Sequence, residues 1–425
     1  MVIKAVKGTR DLLPPETALW NWVEGVSRQI FEVYAFSEIR TPIIERTELF
    51  ARGVGEDTDI VSKEMYTFED RDDKSLTLRP EGTAPVVRSF IEHQLEQEGQ
   101  ISKLYYLGPM FRRERPQKGR YRQFHQIGAE VFGSDSPAIE AEALEMLQLF
   151  LSRVGIREQQ LLVNSIGCSN CRPRFLESLK RSLAEVQGEL CQDCQRRSGT
   201  NPLRVLDCKV ESCQPVIDSL PKITEYLDEA CRNHFDEFLR YLSIRNIPFT
   251  IVPRLVRGLD YYMRTTFEIT SGALGAQNTL VGGGRYDGLS ELLGGPPVQG
   301  FGFALGLERL LLILQEQGDL KAQSTVELFF APLGKAAFDK ATWLARDLRS
   351  KGIRCFLDFE ARSLKSAMRL ANKLQAQGFI SALFKCAEQL WNLKRTGDLD
   401  RIRQGAQLFG TQMCLCQNGR GCTPR

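Results

Sequence analysis

Residues 110–128 read MFRRERPQKGRYRQFHQIG, six cations against one acid between two apolar runs. Period-two alternation puts Tyr106, Gly108, Met110, Arg112 and Glu114 on one face of a first strand. It puts Phe124, Gln126, Gly128 and Glu130 on one face of a second. If those faces coincide, an arginine fork for phosphate, an aromatic surface for a planar ring, and an amide with a carboxylate share one floor. An isolated basic loop is more often a solvated hairpin. Gln126 and Glu130, however, sit on strands that must be half buried, where polar groups require partners.

Other segments carry chemistry of their own. Glu81 in RPEGT stands at a strand-to-helix turn, where a carboxylate suits an ammonium group or the helix dipole. VRGLDYY places Arg257 just past a strand, with Tyr261 and Tyr262 close behind. GFGFALGLERL ends a strand in glycine and sets Arg309 in the first turn of a helix. The glycines of VGGGRYDGL admit close backbone approach or form a tight sheet turn. No G-x-x-x-x-G-K-[ST] loop or strand-linked G-x-G-x-x-G occurs, so a phosphorylated ligand must be held by side-chain cations. Cys168-x-x-Cys171 and Cys191-x-x-Cys194 have the paired spacing of a structural zinc site. Cys208 and Cys213 offer two more thiols than four ligands need.

The elements that position these residues read as follows. A helix spans about 15–31, and SEIRTPIIE is a strand whose Pro42 suits an edge or an interface. A short strand and turn lead to a helix with Thr83 as its N-cap. KLYYLGPMFRRE and YRQFHQIGAEVFG form a hairpin with a cationic loop, followed by a helix over about 135–154. A cysteine-studded helical insertion spans 165–241, after which the strands PFTIVPRLV and TTFEIT resume. The polar stretch around 321–326 reads as a linker between a domain of residues 1–320 and a small α/β domain of residues 327–425.

Composition limits the alternatives. The 425 residues are 42% hydrophobic, with no run of eighteen apolar residues and no secretory h-region, so a cytoplasmic protein with no membrane partner is expected. Three histidines argue against a multi-histidine catalytic metal centre, and twelve cysteines point to reduced thiols or a metal. From Glu327 onward there are 17 Lys and Arg against 8 Asp and Glu, leaving 39 against 45 before it. A basic C-terminal module on an acidic body fits an anionic partner, and on charge alone equally a solvated basic face.

In order, KGTRDLLPPE, SEIRTPIIE, LTLRPEGT, GPMFRRERPQKGRYRQFHQIGAEVFG, LVRGLDYY, GGGRYDGL and FGFALGLERL resemble the class II aminoacyl-tRNA synthetases, and among them the histidyl-tRNA synthetase family. The resemblance covers about residues 4–377. It implies an α+β fold: a six-stranded antiparallel catalytic sheet flanked by helices, a helical insertion, and a C-terminal α/β anticodon-binding domain. It implies a homodimer built partly on SEIRTPIIE, and histidine, ATP with Mg²⁺ and tRNA(His) as ligands. Glu81, Gly82, Thr83, Gln126, Glu130, Tyr261 and Tyr262 would bind histidine. Arg112, Glu114, Phe124 and Arg309 would bind ATP, with Arg112 and Arg257 catalytic at the α-phosphate. Arg115, Gln117, Lys118 and Arg120 would lie near the tRNA acceptor end. Cys168, Cys171, Cys191 and Cys194 remain the zinc candidates, a metal the resemblance does not require.

The tail after residue 377 departs from this pattern. It shows no alternating strand to complete the small domain's sheet, and three cysteines fall in its last twelve residues. A shifted reading frame or a divergent tail would account for it. Two other functions remain in view. A catalytically silent synthetase-like regulatory subunit would typically lose RGLDYY or the hairpin arginines, which are present here. A zinc-dependent nucleic-acid-binding protein leaves Glu81, Glu130 and Arg257 unexplained.

Overall fold

A computed structural model describes residues 2–55, 58–95, 100–117, 119–272, 278–318, 326–360, 362–383, 391–395 and 413–416, by backbone alone from 382 onward. Two compact units divide the chain, residues 1–320 and 321–425.

The first unit begins with α1 (Glu16–Val33), whose buried Trp20, Val23, Ser27, Ile30 and Phe31 recur at helical spacing. SEIRTPIIE is not one strand. It splits at Thr41-Pro42 into β1 (Ser37–Glu38) and β2 (Ile44–Arg46), which belong to different sheets. Pro42 cannot donate to a ladder, and the Thr41 carbonyl instead accepts from Arg79 at 2.8 Å. After α2 (Thr47–Val54) come β3 (Tyr66–Glu69) and β4 (Ser75–Leu78), which close a three-stranded sheet with β2, then α3 (Thr83–Glu92).

The hairpin is β5 (Ser102–Phe111) and β6 (Gln123–Phe132), followed by α4 (Pro137–Arg153) and β7 (Gln160–Ser165). Ser136 caps α4, accepting from the Ala138 N–H at 3.3 Å, and Pro137 fills the first position, where no N–H is needed. The insertion comprises α5 (Arg172–Glu185), α6 (Gln192–Thr200), α7 (Gln214–Ser219) and α8 (Glu229–Ile244), with short 3₁₀ turns between them. β8 (Thr250–Ile251), β9 (Met263–Thr270), β10 (Thr279–Arg285), α9 (Leu289–Leu292), β11 (Gly300–Gly306) and α10 (Leu307–Glu316) complete the unit. PFTIVPRLV yields only the two residues of β8, because Pro253 interrupts the ladder.

The sheet runs β1-β5-β6-β11-β10-β9-β7-β8: six antiparallel strands with a short parallel strand at each edge. Its two faces differ in chemistry. Ile127, Ala129, Val131, Phe267, Ile269, Phe301, Phe303 and Leu305 join one buried core with residues of α1, α4, α8 and α10. Burying each large apolar side chain there contributes about 1.5–3 kcal/mol. The alternate residues face the other way and form the floor described next.

In the second unit, β12 (Leu328–Leu333), α11 (Lys335–Ser350), β13 (Cys355–Leu357) and α12 (Leu364–Lys373) alternate as the sequence pattern requires. The tail reading is corrected. β14 (Gly378–Leu383) pairs parallel with β12, and β15 (Trp391–Arg395) and β16 (Met413–Cys416) extend the sheet in the order β13-β12-β14-β15-β16. A strand covered on both faces reads as a continuous apolar run, so GFISAL gives no alternation to detect. The linker expected at 321–326 lies outside the described residues except for Val326.

Candidate active site

Register builds the floor. Glu268, Gly282, Ala304, Gly128 and Tyr106 stand opposite one another in a row across five strands. The adjacent row is Thr266, Gly284, Gly302, Glu130 and Leu104. Glycine recurs because long neighbours fill the space a side chain would need. A Cβ on Gly82 or Gly128 would sit 2.2 or 2.3 Å from the Tyr106 ring. One on Gly282 would meet the Arg257 guanidinium at 2.1 Å, and one on Gly302 would meet Glu130 Oε2 at 1.7 Å. Gly282, Gly283 and Gly284 of VGGGRYDGL are therefore strand residues rather than a sheet turn.

Above this floor lies a cleft of about 460 Å³. The hairpin faces do coincide: Met110 pairs with Phe124, Gly108 with Gln126 and Tyr106 with Gly128. Beyond the strand end, the Arg112 N–H donates to the Arg122 carbonyl at 2.9 Å, so Arg112 and Glu114 continue toward the cleft. Arg112 donates from Nε to the Pro80 carbonyl at 2.8 Å, and its guanidinium lies 5.2 Å from the Phe124 ring centre. Glu114 accepts from Arg120 at 3.1 Å. Glu81, Thr83, Phe124, Gln126, Tyr261, Tyr262, Arg120, Arg257 and Arg309 also line the cleft. Arg115 and Gln117 are exposed on the hairpin loop, and Lys118 lies outside the described residues. Gly82 packs beneath Tyr106.

Two residues differ from expectation in their local role. Gly82, not Thr83, is the N-cap of α3. The Glu81 carboxylate accepts the first orphan N–H groups, from Thr83 and Ala84, each at 2.8 Å. Burial pushes the Glu81 carboxyl up while those two donors pull it back. Glu130 is fully buried under the cleft: Oε1 accepts from Thr83 Oγ1 at 2.7 Å and Oε2 from the Tyr286 hydroxyl. Burial pushes its carboxyl up to about 8, against the hydroxyl donors that lower it. Tyr262 is likewise pushed up to about 12 by burial.

Arg257 donates from Nη1 to Glu268, which also accepts from Thr279 Oγ1 at 2.8 Å. Its guanidinium lies 5.8 Å from the Tyr262 ring centre. Arg309 donates to the Thr279 carbonyl, and burial lowers its pKa. Sequence reasoning missed several cleft or floor residues, among them Glu268, Tyr286, Arg204, Asp207 and Lys209. Tyr286 carried a signal in RYDG. Arg204, Asp207 and Lys209 gave none, since they reach the cleft from the insertion. Arg285 beside Tyr286 is structural: it is wholly buried against Glu140 at 2.6 Å and Asp287 at 2.9 Å.

The zinc ligand set is corrected. Cys168 and Cys171 group with Asp228 and Cys231, whereas Cys191 and Cys194 group with Cys208 and Cys213. Each C-x-x-C pair sits at the start of a different helix, α5 or α6, and joins a different group.

A six-stranded antiparallel sheet that carries arginines, a buried carboxylate and paired tyrosines over one cleft is the catalytic core of a class II aminoacyl-tRNA synthetase. Residues 8–310 match the family model described as histidyl-tRNA synthetase. The histidine–tRNA ligase of Solibacter usitatus is 58% identical over 377 residues, spanning 88% of this chain and 90% of that protein. That of Koribacter versatilis is 55% identical, spanning 88% of each. The apo Staphylococcus aureus histidyl-tRNA synthetase superposes with a TM-score of 0.74 at 40% identity, over 89% of this chain and 91% of that one. The chain belongs to the histidyl-tRNA synthetase family and is a ligase that joins L-histidine to tRNA(His) in two steps, ATP-dependent formation of histidyl-adenylate with release of pyrophosphate, then transfer to the tRNA. A Bacillus halodurans protein described as an ATP phosphoribosyltransferase regulatory subunit/histidyl-tRNA synthetase shares the fold, with a TM-score of 0.66, at only 20% identity. The regulatory alternative is not favoured.

Proposed function

We propose that the cleft divides its work between a histidine end over the floor and an ATP end at the hairpin loop. Glu81 and Thr83 receive the amino group of histidine beside Gly82, where Tyr106 closes the floor. Gln126, Tyr261 and Tyr262 surround the imidazole, with Glu130 beneath them. A pocket that hydrogen-bonds both ring nitrogens rejects apolar isosteres because its own buried groups would be left unpaired.

Phe124 offers its ring face to adenine, Arg112 holds the α-phosphate, and Glu114 and Arg309 complete the ATP end. Arg257 approaches the α-phosphate from the opposite wall. A histidine carboxylate oxygen attacks the α-phosphorus in line, its bond to the bridging oxygen breaks, and pyrophosphate leaves. Charge gathers on the non-bridging oxygens, where fixed guanidinium groups stabilise it without reorganisation. Mg²⁺ takes oxygen ligands, and the cleft carboxylate Glu114 fits that requirement. When bound, the ion would neutralise triphosphate charge.

In the second step a terminal adenosine hydroxyl of tRNA attacks the adenylate, with Arg115, Gln117, Lys118 and Arg120 near the acceptor stem. The basic unit from residue 327 onward faces tRNA phosphates as the anticodon-binding domain. Exposed Ile44 and Phe68 on the small sheet, with Ile43 just before it, support a homodimer contact there. Among the described residues no helix is long and apolar enough to cross a membrane, and we assign the enzyme to the cytoplasm.

The observation that carries this reading is the Arg257–Glu268 pair beside Tyr262 on the cleft wall. Arg257→Ala should slow adenylate formation in single turnover by about 10²-fold or more while changing histidine affinity only a few-fold. Equal losses in both would make Arg257 a binding residue only.

A further inference from the structure

The insertion contains seven cysteines, and all seven fall into the two groups named above, with Asp228 as the eighth member. Their spacing is informative. Sγ–Sγ distances are 3.6 Å for Cys168–Cys171, 3.8 Å for Cys171–Cys231 and 3.9 Å for Cys191–Cys208. Four thiolates held about 2.3 Å from one tetrahedral zinc stand about 3.8 Å apart, and a thiolate and a carboxylate oxygen about 3.5 Å apart. Cys168 Sγ lies 3.4 Å from Asp228 Oδ2. A disulfide needs sulfurs about 2.05 Å apart, and these thiols are free. An iron–sulfur cluster spreads its thiolates over several metals and would hold them farther apart.

The backbone gives a second, independent indication. N–H groups point at sulfur in both groups: Cys168 to Cys171 Sγ at 3.1 Å, Asn170 to Cys168 Sγ at 3.4 Å, Cys191 to Cys213 Sγ at 3.2 Å and Val210 to Cys208 Sγ at 3.4 Å. Such donors stabilise thiolates rather than thiols packed as small hydrophobes. Gly167 turns at φ +67°, and a Cβ there would lie 2.6 Å from Cys171 Sγ. Asp228 is already oriented, because its Oδ1 caps α8 by accepting from the Cys231 N–H at 2.8 Å.

We propose that the insertion holds two structural zinc ions, one on Cys191, Cys194, Cys208 and Cys213 and one on Cys168, Cys171, Cys231 and Asp228. Each supports a different wall of the cleft. At the Asp228 site, Arg172 donates to the Tyr262 carbonyl at 2.6 Å. The Arg264 N–H also donates to Gly167 at 2.8 Å, tying the metal loop to the start of β9. At the four-cysteine site, Cys208 stands between Asp207 and Lys209, both of which line the cleft with Arg204. The division of walls into a histidine side and an ATP side rests on the proposed function; the two metal sites do not.

The test is the metal content of the full-length protein expressed with zinc, by elemental mass spectrometry, beside Cys194→Ser and Cys231→Ser. Two zinc ions per wild-type chain and about one in each variant are expected. Cys231→Ser should also raise the histidine KM about tenfold with little change in the ATP KM. At most about one zinc per wild-type chain, or iron in its place, would overturn the proposal. If the variants do not fold, cobalt titration of the metal-stripped wild type decides. Thiolate charge-transfer absorption should saturate at about two equivalents, and saturation at one or none would contradict it. Retained zinc with an unmoved histidine KM would overturn only the assignment of walls.

Discussion

The floor and the rim of the cleft hold their polar side chains by different means. On the floor, Glu130, Tyr106 and Glu268 are placed by strand register, and glycines opposite them leave no slack. On the rim, Arg120 hangs from the hairpin loop, while Arg204, Asp207 and Lys209 come from the cysteine-rich insertion. Floor residues cannot move without disturbing the sheet. Rim residues can be altered with the fold intact. A change on the floor should therefore cost stability as well as chemistry, and a change on the rim should cost ligand affinity alone.

Four substitutions probe that contrast. The largest effect belongs to Arg112→Ala at the junction of the two, since its guanidinium is pinned by the Pro80 carbonyl and the Phe124 face. Histidine activation should fall by about 10²–10³-fold in kcat, read by steady-state pyrophosphate exchange. Gly302→Ala comes next, forcing a methyl group onto the Glu130 carboxylate. Urea unfolding should show a loss of about 1–3 kcal/mol, and an unchanged midpoint would mean the floor yields.

Glu130→Gln addresses the same spot through pH. The folded carboxyl keeps its proton to about 8, whereas its ordinary value is 4.5. The folded state thus binds the extra proton between those values. The stability this group contributes is complete below the lower value and is lost as pH rises through the upper one. Relative to wild type, Glu130→Gln should flatten the fall in stability from about pH 5 to pH 9. Parallel curves would show that Glu130 does not titrate there. The smallest effect is expected from Lys209→Ala on the rim: a few-fold rise in the ATP KM with no change in melting temperature beyond about 1 °C.

The same contrast governs what could be read from sequence. The hairpin floor was legible because its side chains alternate at period two and turn and strand signals bound it. Arg112, Phe124 and Gln126 reach the cleft as that alternation requires. Glu81 was placed correctly in the chain, but its capping of α3 depended on where the helix starts, a boundary displaced by one residue. Arg204, Asp207 and Lys209 were invisible because no local pattern says which side of a helical insertion meets a distant sheet. The cysteines were legible as candidate metal ligands but not as two groups, because adjacent C-x-x-C pairs suggest one site. Asp228 and Cys231, some sixty residues beyond Cys168, complete the second group. The tail strand β14 was missed for a simpler reason: burial on both faces removes alternation.

The account stands most directly on amino-acid-dependent exchange of pyrophosphate into ATP, measured with the full-length protein and each of the proteinogenic amino acids in turn. Histidine alone should support exchange, because only its ring satisfies the buried groups around Glu130 and Tyr262. Absence of exchange with histidine in folded protein, or comparable exchange with glutamine or asparagine, would contradict it.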